Sequence, residues 1–379
     1  MTARGYDIAI IGGGVIGLSI ALRLADTRAR ICVIDAGQAQ PGASDAAAGM
    51  LAPSFEKGGE ELYQLSAASL ALWPSFASEV EAQSGEDIDY RDDGILGVAL
   101  SDAQSAALKG VHDRLAMAGA KVEMLDGVAA RSLEPGLSET IDAAMFAAND
   151  AQVDAQKLKA ALEKVVAKNV GPLLRETVEE LGESFCPREI IFKSGKKIFA
   201  DKVILASGAA AAMLPAGSPA PPIQPVKGEA LSVKMTRGAF QHVVRGPGAY
   251  ICPKAGDRMI IGATEISGRD DLGVDDVAID ALRKNAASFA PGVSGYRELE
   301  RWAGLRPGTP DGAPILGADI RGPDDIILAL GHYRNGILLA PKTADLIAAL
   351  IEQNAATSGE ISPFRPDRFG RNQDQTVHG

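Results

Sequence analysis

An apolar segment that runs directly into a glycine-rich turn and an apolar helix opens the chain. Residues 6–11 are followed by Gly12, Gly14 and Gly17 in the spacing G-x-G-x-x-G. In this pattern the first glycine permits a tight turn, the second lets the backbone approach a pyrophosphate, and the third lets the helix pack closely on the strand. The segment therefore predicts the start of a dinucleotide-binding βαβ unit.

A second predicted strand supports this interpretation. Residues 30–35 read RICVID and end at Asp35, about twenty residues after the glycines, where a carboxylate can accept both hydroxyls of an adenosine ribose. The alternative is a glycine-rich turn with a structural role alone.

Composition narrows the class of protein. The chain has 379 residues, 46% of them hydrophobic, and a formal net charge of -11, which predicts a globular protein of two domains and argues against nucleic acid or an anionic membrane as a partner. No apolar run is long enough for a membrane span, and we predict no signal peptide. The three widely spaced cysteines favour reduced thiols and a cytoplasmic location, and four histidines without a Cys/His cluster predict no metal site.

The order of predicted elements indicates that the chain visits two regions in turn. Helices are predicted over 60–83, 157–168 and 336–353, and strands ending near 208 and 331 return the chain to the nucleotide-binding region. Between these visits lie two predicted hairpins. One has Asp93-Gly94 as its turn, and the other joins 250–253 to 258–264.

A turn-rich segment, residues 302–317, places Arg306 beside backbone that can approach a ligand closely. Arginine is the residue best suited to hold a carboxylate with two parallel hydrogen bonds. The alternative is a surface arginine paired with Asp311.

Six blocks spread over nearly the whole chain carry a family resemblance. They are residues 12–17 (GGGVIG), 46–51 (AAAGML), 226–229 (VKGE), 262–264 (GAT), 302–309 (WAGLRPGT) and 331–341 (GHYRNGILLAP). In combination they resemble the flavoprotein glycine oxidases of the D-amino-acid oxidase superfamily.

The resemblance implies an α/β fold, more fully an α+β two-domain flavoprotein. It predicts a Rossmann-like FAD-binding domain and a second, antiparallel-sheet substrate domain. We assign residues 1–85, 144–213 and 300–362 to the discontinuous FAD-binding domain. Residues 86–143 and 214–299 form the predicted substrate-binding domain, and 363–379 a polar tail whose last stretch frays.

The resemblance also implies roles for four residues in the reaction. Arg306 would bind the substrate carboxylate, and the hydroxyl of Tyr250 would add a second bond to it. Arg334 would lie near flavin and substrate, and Met50 would line the flavin face. Such orientation would hold the substrate Cα–H over flavin N5 for hydride transfer, and the flavin supplies the redox chemistry.

The cofactor-binding residues come from the glycine pattern and from this resemblance. They are Gly12, Gly14, Val15, Ile16, Gly17, Asp35, Ala36, Ser44, Ala47, Ala48, Gly49, Met50, Val178, Ser207, Gly208, His332, Arg334, Asn335, Gly336 and Ile337.

One position departs from the family pattern. Glu265 stands where a methionine follows Gly-Ala-Thr in the family. One interpretation is that Glu265 points outward or pairs with Arg269. The other is that it contacts the amine or a longer polar substrate, and such a contact would relax a strict preference for glycine. For His332 a structural or flavin-contacting role is favoured over acid/base work, and Cys252 is predicted to be a small buried thiol.

The function implied by the resemblance is oxidative deamination of glycine and other small amines, such as sarcosine and small D-amino acids. The products would be an imine or 2-oxo acid, ammonia and hydrogen peroxide, with dioxygen as acceptor and a role in making the thiazole of thiamine. The alternatives are a D-amino-acid or sarcosine-type dehydrogenase that reduces a quinone or partner flavoprotein, and a flavin subunit of an electron-transfer complex. The resemblance suggests a homo-oligomer, and the absence of cysteine after Cys252 predicts non-covalent FAD.

Overall fold

Two β-sheets organise the structure, and the chain crosses between them several times. The computed structural model describes residues 5–37, 42–182, 186–210, 222–318, 325–352 and 357–369. The strands are β1 (Gly5–Ile11), β2 (Ile31–Ile34), β3 (Met50–Leu51), β4 (Ile95–Ala99), β5 (Val122–Asp126), β6 (Ala143–Ala147), β7 (Ala151–Gln152), β8 (Val178–Leu181), β9 (Arg188–Phe192), β10 (Lys197–Leu205), β11 (Gln224–Lys234), β12 (Val243–Gly246), β13 (Ala249–Lys254), β14 (Arg258–Gly262), β15 (Ile266–Ser267), β16 (Arg297–Gly308), β17 (Ile315–Ala318) and β18 (Ile326–Leu330). The α-helices are α1 (Val15–Leu24), α2 (Ala43–Ala46), α3 (Glu60–Ser84), α4 (Asp102–Met117), α5 (Gly127–Leu133), α6 (Ala155–Asn169), α7 (Asp276–Phe289), α8 (Gly336–Ile351) and α9 (Thr357–Ile361).

The first sheet has seven described strands and a parallel centre. Strands β2, β1, β10 and β18 lie side by side and run parallel, β17 closes one edge antiparallel to β18, and the β8–β9 hairpin joins the first half of β10. The central strands are almost entirely apolar because both of their faces are covered. Parallel pairing brings the carboxyl ends of β1, β2, β10 and β18 to one edge, where nucleotides bind in such sheets.

Helices cover one face of this sheet and form the largest apolar cluster. Alternate strand residues such as Ile8 and Ile10 pack against α1, α3, α6 and α8. Trp73 of α3 is fully buried in this layer, and its Nε1 donates to the carbonyl of Leu338 at 2.9 Å. The intervening strand residues, such as Ala9 and Ile11, face a second cluster with β8 and β9.

The second sheet has nine described strands in the order β15-β11-β14-β13-β12-β4-β6-β5, with β16 also paired to β11. All pairs are antiparallel except β4 with β12. Helix α7 covers one face through residues such as Ile279, Leu282 and Phe289. The opposite face carries a smaller apolar cluster that includes Cys252 and, at its edge, Tyr250 and Trp302.

The predicted fold class is confirmed, as are the three long helices, which correspond to α3, α6 and α8. The hairpin predicted over 250–264 is confirmed by antiparallel pairing of β13 with β14. The hairpin predicted at Asp93-Gly94 is wrong. Arg91 forms a bridge with Gln152 instead, and β4 pairs with β6 and β12.

Sheet pairing also differs from the predicted domain limits at two strands. The prediction places 144–147 and 300–308 in the FAD-binding domain, whereas β6 and β16 pair within the nine-stranded sheet. The limit at 213/214 lies outside the described residues, and the division into domains stays a prediction. The predicted tail begins with ordered contacts, because Phe364 is buried and Arg368 donates to Asp311 at 2.7 Å, and its residues 370–379 lie outside the described ranges.

Across the described ranges, no helix is both long enough and apolar enough to cross a membrane.

Candidate active site

A cavity of about 1340 Å³ lies between the carboxyl edge of the parallel strands and the open face of the nine-stranded sheet. Loops that follow β1, β2, β10 and β18 line one end, and residues of β11, β13, β14 and β16 line the other. The two sheets thus enclose a single elongated site.

The glycine-rich turn after β1 is held in a conformation that a side chain would disrupt. Gly12 has φ +121°, and a Cβ there would lie 2.3 Å from the carbonyl oxygen of Ala206. A Cβ on Gly17 would lie 1.9 Å from the Gly12 oxygen, so this glycine lets α1 pack on the turn. The amide of Val15, the first residue of α1, donates to Oγ of Ser44 at 3.0 Å.

Asp35 anchors the loop beyond β2. Its Oδ2 accepts from the amide of Gly13 at 2.8 Å, and its Oδ1 accepts from the amide of Gly37 at 2.9 Å. Nη1 of Arg175 lies 3.0 Å from the same Oδ1. The carboxylate is therefore fixed at the rim of the cavity, beside the glycine turn.

Across the cavity, strand register gathers polar side chains on one face of the second sheet. Tyr250 lies opposite Gly262, and a Cβ on Gly262 would be 2.3 Å from the Tyr250 hydroxyl. Arg306 extends over Gly228, where a Cβ would be 2.2 Å from Nη1. The glycines leave the space in which the phenol and the guanidinium lie.

The guanidinium of Arg306 is positioned by a neighbouring loop. Its Nη1 donates to the carbonyl of Thr264 at 3.1 Å. Thr264 is held in turn by Glu229, whose amide donates to the Thr264 hydroxyl at 2.8 Å and whose carboxylate accepts from that hydroxyl at 3.2 Å. Glu229 is fully buried and also accepts from the amide of Asp275 at 2.9 Å. Among the described residues Arg306 has no carboxylate partner.

Burial sets the protonation of two residues that line the cavity. It raises the pKa of Tyr250 to about 12, so this hydroxyl keeps its proton and can donate. It lowers the pKa of His332 to about 3, which leaves the imidazole neutral. Nε2 of His332 lies 3.0 Å from the hydroxyl of Thr343 on α8, consistent with the structural role favoured from sequence.

A chain of alternating charges crosses the same end of the cavity. One carboxylate oxygen of Glu56 accepts a hydrogen bond from Nη1 of Arg245 at 3.2 Å. The other oxygen lies 3.1 Å from Nε of Arg334. Arg334 also donates to Glu265 at 3.0 Å, and the hydroxyl of Tyr333 donates to the other oxygen of Glu265. The hydrogen bond from Tyr333, supported by Arg334, lowers the pKa of the Glu265 carboxyl below its ordinary value.

Comparison with known proteins agrees with this architecture. Residues 7–350 match the family described as DAO, FAD dependent oxidoreductase. The chain belongs to this family. It is 36% identical to the glycine oxidase of Geobacillus kaustophilus, over 96% of this chain and 97% of that protein. It is 35% identical to a bifunctional protein ThiO/ThiG of Synechocystis, over 96% of this chain but 54% of that protein. The crystal structure of the Geobacillus kaustophilus glycine oxidase superposes with a TM-score of 0.90 at 34% identity, covering 96% of this chain and 99% of that one.

This DAO family member is therefore an FAD-dependent oxidoreductase, and its cavity fits the cofactor. The turn at Gly12 and Gly14 brings backbone to the N-terminus of α1, which favours a pyrophosphate. Asp35 lies at the rim, where a carboxylate would accept ribose hydroxyls, and the loop 331–336 leads into the N-terminus of α8 at the far end. We propose that these groups hold the FAD.

The structure brings nearly all of the predicted site residues of the oxidoreductase together. Arg306, Tyr250, Arg334, Met50 and Glu265 line the cavity, as do all predicted cofactor-binding residues except Gly17, which packs α1 on the turn. The two alternative pairings are wrong. Asp311 accepts from Arg368 rather than from Arg306, and Arg269 donates to Asp271 rather than to Glu265.

Sequence reasoning missed several residues that the oxidoreductase places in or beside the cavity. They are Glu56, Arg175, Glu229, Arg245 and Tyr333. A signal existed for Arg245, because Gly-Pro-Gly follows it and a hairpin turn there would set it opposite Tyr250, as β12 and β13 in fact pair. Glu56 and Arg175 gave no such signal, since their partners are distant in sequence. In the described ranges no cluster of potential metal ligands occurs.

Proposed function

We propose that this oxidoreductase oxidises glycine and other small amines that carry a carboxylate, such as sarcosine and small D-amino acids. The products would be an imine or 2-oxo acid, ammonia (methylamine from sarcosine) and hydrogen peroxide, with dioxygen as electron acceptor. The observation that carries the proposal is the pair Arg306 and Tyr250, which share one face of the sheet and line the cavity with hydrogen-bond donors available.

The chemistry of this pair supports a carboxylate as the group recognised. A guanidinium offers five N–H donors, and one of those on Arg306 is used by the carbonyl of Thr264. The remaining donors and the protonated Tyr250 hydroxyl suit the two oxygens of a carboxylate, because charge-assisted hydrogen bonds are the strongest available in such a site. The pair would orient the adjacent carbon rather than react with it.

The bound FAD supplies the acceptor for the hydride, and the side chains position and shield the reacting groups. Burial lowers the pKa of His332 to about 3, so its imidazole is a weak base, and its Nε2 already lies 3.0 Å from the Thr343 hydroxyl. An amine that binds unprotonated needs no strong base. Met50 and the apolar cluster beneath Tyr250 limit the water in contact with the substrate.

The names of similar proteins support the finer parts of the proposal. Relatives are called glycine oxidase, and others are called bifunctional protein ThiO/ThiG. On this basis we propose a role in thiamine (thiazole) biosynthesis. We also propose a homo-oligomer in the cytoplasm, where the free thiols of Cys32 and Cys252 would remain reduced.

Flavin absorbance tests the proposal directly. Glycine, sarcosine and small D-amino acids are added in turn to the purified holoenzyme without oxygen, and air is then admitted. Bleaching by glycine followed by recovery and peroxide in air is the expected result. Bleaching by none of these amines would overturn the proposed substrates, and slow recovery in air with rapid recovery on a quinone would overturn dioxygen as acceptor.

A further inference from the structure

Arg245 occupies the strand position next to Tyr250 on the cavity face. The two residues are direct partners across the antiparallel pair β12–β13, so their side chains leave the sheet on the same side. Both line the cavity. A second guanidinium therefore stands one strand away from the phenol that, with Arg306, is proposed to hold the substrate carboxylate.

Most of the hydrogen-bonding capacity of Arg245 is not used by the protein. Of its five N–H donors, one has an acceptor within the described residues, Oε1 of Glu56 at 3.2 Å. The side chain is nevertheless only 19% exposed, and its guanidinium lies 5.5 Å from the centre of the Phe55 ring. A sheltered guanidinium with open donors on a cavity wall is suited to an anionic ligand.

Local charge favours the same kind of ligand. One oxygen of Glu56 contacts Arg245 and the other contacts Arg334, so this partly buried trio has a net charge of +1. Glu265 also contacts Arg334, but its side chain is 47% exposed and water screens it. This positive charge is additional to that of Arg306.

We propose that Arg245 forms a second anion subsite, and that the enzyme accepts small amino acids that carry a second carboxylate on the amine substituent or the side chain. Burial dominates the pKa of the Tyr250 hydroxyl, and the charges of Arg306 and Arg245 each act to lower it, so both guanidinium groups lie within electrostatic range of this hydroxyl. This inference rests on the proposed function and extends it. The reaction would be unchanged. The substrate would lose one hydride, which carries two electrons, to FAD and one proton from its nitrogen, dioxygen would take the two electrons from the flavin to give hydrogen peroxide, and water would split the C=N bond into an oxo acid and ammonia or an amine.

Matched ligands that differ only in charge test the subsite. N-carboxymethylglycine is compared with its monoamide, and D-aspartate with D-asparagine, as substrates. Diglycolate, which has two carboxylates and no amine, is compared with methoxyacetate in titrations of the flavin spectrum. The wild-type enzyme is expected to favour each dicarboxylate, and Arg245→Gln to reduce that preference by about 10- to 100-fold, the range typical of one hydrogen-bonded charge.

Lys57→Met provides the matched control, because Lys57 is an exposed cation that also lines the cavity. Its loss should change the dicarboxylate preference far less than Arg245→Gln does. An equal change in both variants, or no preference in the wild type, would overturn the subsite. If Arg245→Gln does not fold, Arg245→Lys keeps the charge without the planar fork and should show a partial loss.

The same experiment separates this inference from the proposed function. Reduction of the flavin by glycine without any preference for dicarboxylates would overturn the subsite alone. Arg245-dependent binding of diglycolate in an enzyme that no amine reduces would overturn the proposed reaction and support the subsite.

Discussion

The carbonyl oxygen of Thr264 accepts a hydrogen bond of 3.1 Å from Nη1 of Arg306. The hydroxyl of the same threonine donates to the buried carboxylate of Glu229, so Glu229 helps to fix the position of the guanidinium without contacting it. The Thr264 hydroxyl both accepts from and donates to Glu229. The threonine is thus a positioning residue for the proposed carboxylate site.

Replacing Thr264 by Val should weaken binding of the substrate carboxylate. The change keeps the shape of the side chain but removes the hydroxyl that pairs with the Glu229 amide and with one of its carboxylate oxygens, at a cost of about 1–3 kcal/mol. We expect KM for glycine, and Kd for a carboxylate ligand that perturbs the flavin spectrum, to rise by about tenfold with a smaller change in kcat. Thr264→Ser retains the hydroxyl and should restore most of the affinity. Equal effects of both substitutions would contradict the positioning role.

Removing the hydroxyl of Tyr250 should lower kcat/KM without changing the pH profile. Because burial raises the pKa of Tyr250 to about 12, the hydroxyl stays protonated between pH 6 and pH 10 and acts there only as a donor. Tyr250→Phe should reduce kcat/KM for glycine by about tenfold, the effect of one hydrogen bond to a charged group. Tyr296→Phe, at a tyrosine outside the cavity lining, is the control. An alkaline limb that disappears only in Tyr250→Phe would show that the phenol ionises in this range.

Asp150 should make the folded protein less stable as pH rises. Burial raises its pKa from 3.8 to about 7, although Oδ1 accepts from the Ser54 hydroxyl at 2.9 Å. Between these two values the folded state holds a proton that the unfolded state has lost, so the free energy of unfolding falls by up to roughly 4 kcal/mol across this window.

Asp150→Asn removes this titration and should reduce the decrease in the free energy of unfolding as pH rises. Unfolding of both proteins by urea at pH 5 and pH 8 measures the difference. Asp102→Asn, at an exposed position at the start of α4, should leave the pH dependence of the wild type in place. A wild-type slope that persists in Asp150→Asn would assign the titration to another group.

Two glycines of the first turn should respond differently to the same added methyl group. Gly12→Ala places a Cβ against the backbone of Ala206 at a positive φ, and should cost about 1–3 kcal/mol or more of stability even without FAD. Gly14 has an ordinary φ of -78°, and its Cβ would meet only Oγ of Ser44 at 3.3 Å. Gly14→Ala should therefore fold and lose mainly FAD affinity. Thermal unfolding of the apoproteins and the ratio of flavin to protein test this, and a fully stable Gly12→Ala apoprotein would contradict it.

The FAD should be released intact on denaturation. Cys252 is the last cysteine of the sequence, and it is buried in the sheet with its pKa raised to about 11 by that burial. A thiol in this state is a poor nucleophile towards the flavin ring. Acid precipitation should leave the yellow colour in the supernatant, whereas flavin that sediments with the polypeptide would indicate a covalent bond to another residue.

The parts of the site that could be predicted from the sequence are those formed by residues close together in the chain. The glycine turn and Asp35 follow from local spacing, and the helices from their apolar period. The Asp93-Gly94 hairpin failed because the preceding residues pair with β7, more than fifty positions away, which no local pattern reveals. The Arg245–Glu56–Arg334 chain likewise joins a strand and two loops that are far apart in sequence, so only the folded structure brings its charges together.

The parallel order of the first sheet has a consequence for synthesis. Strand β1 is complete at Ile11, but its neighbour β10 ends at Leu205 and β18 ends at Leu330. At about 5–20 residues per second a ribosome needs roughly 10–40 s to travel from Ile11 to Leu205. During that interval an apolar strand has left the ribosome before the strand that covers it exists. During rapid overexpression, we therefore expect the yield of folded protein to be limited by exposure of the nascent chain rather than by the stability of the finished fold.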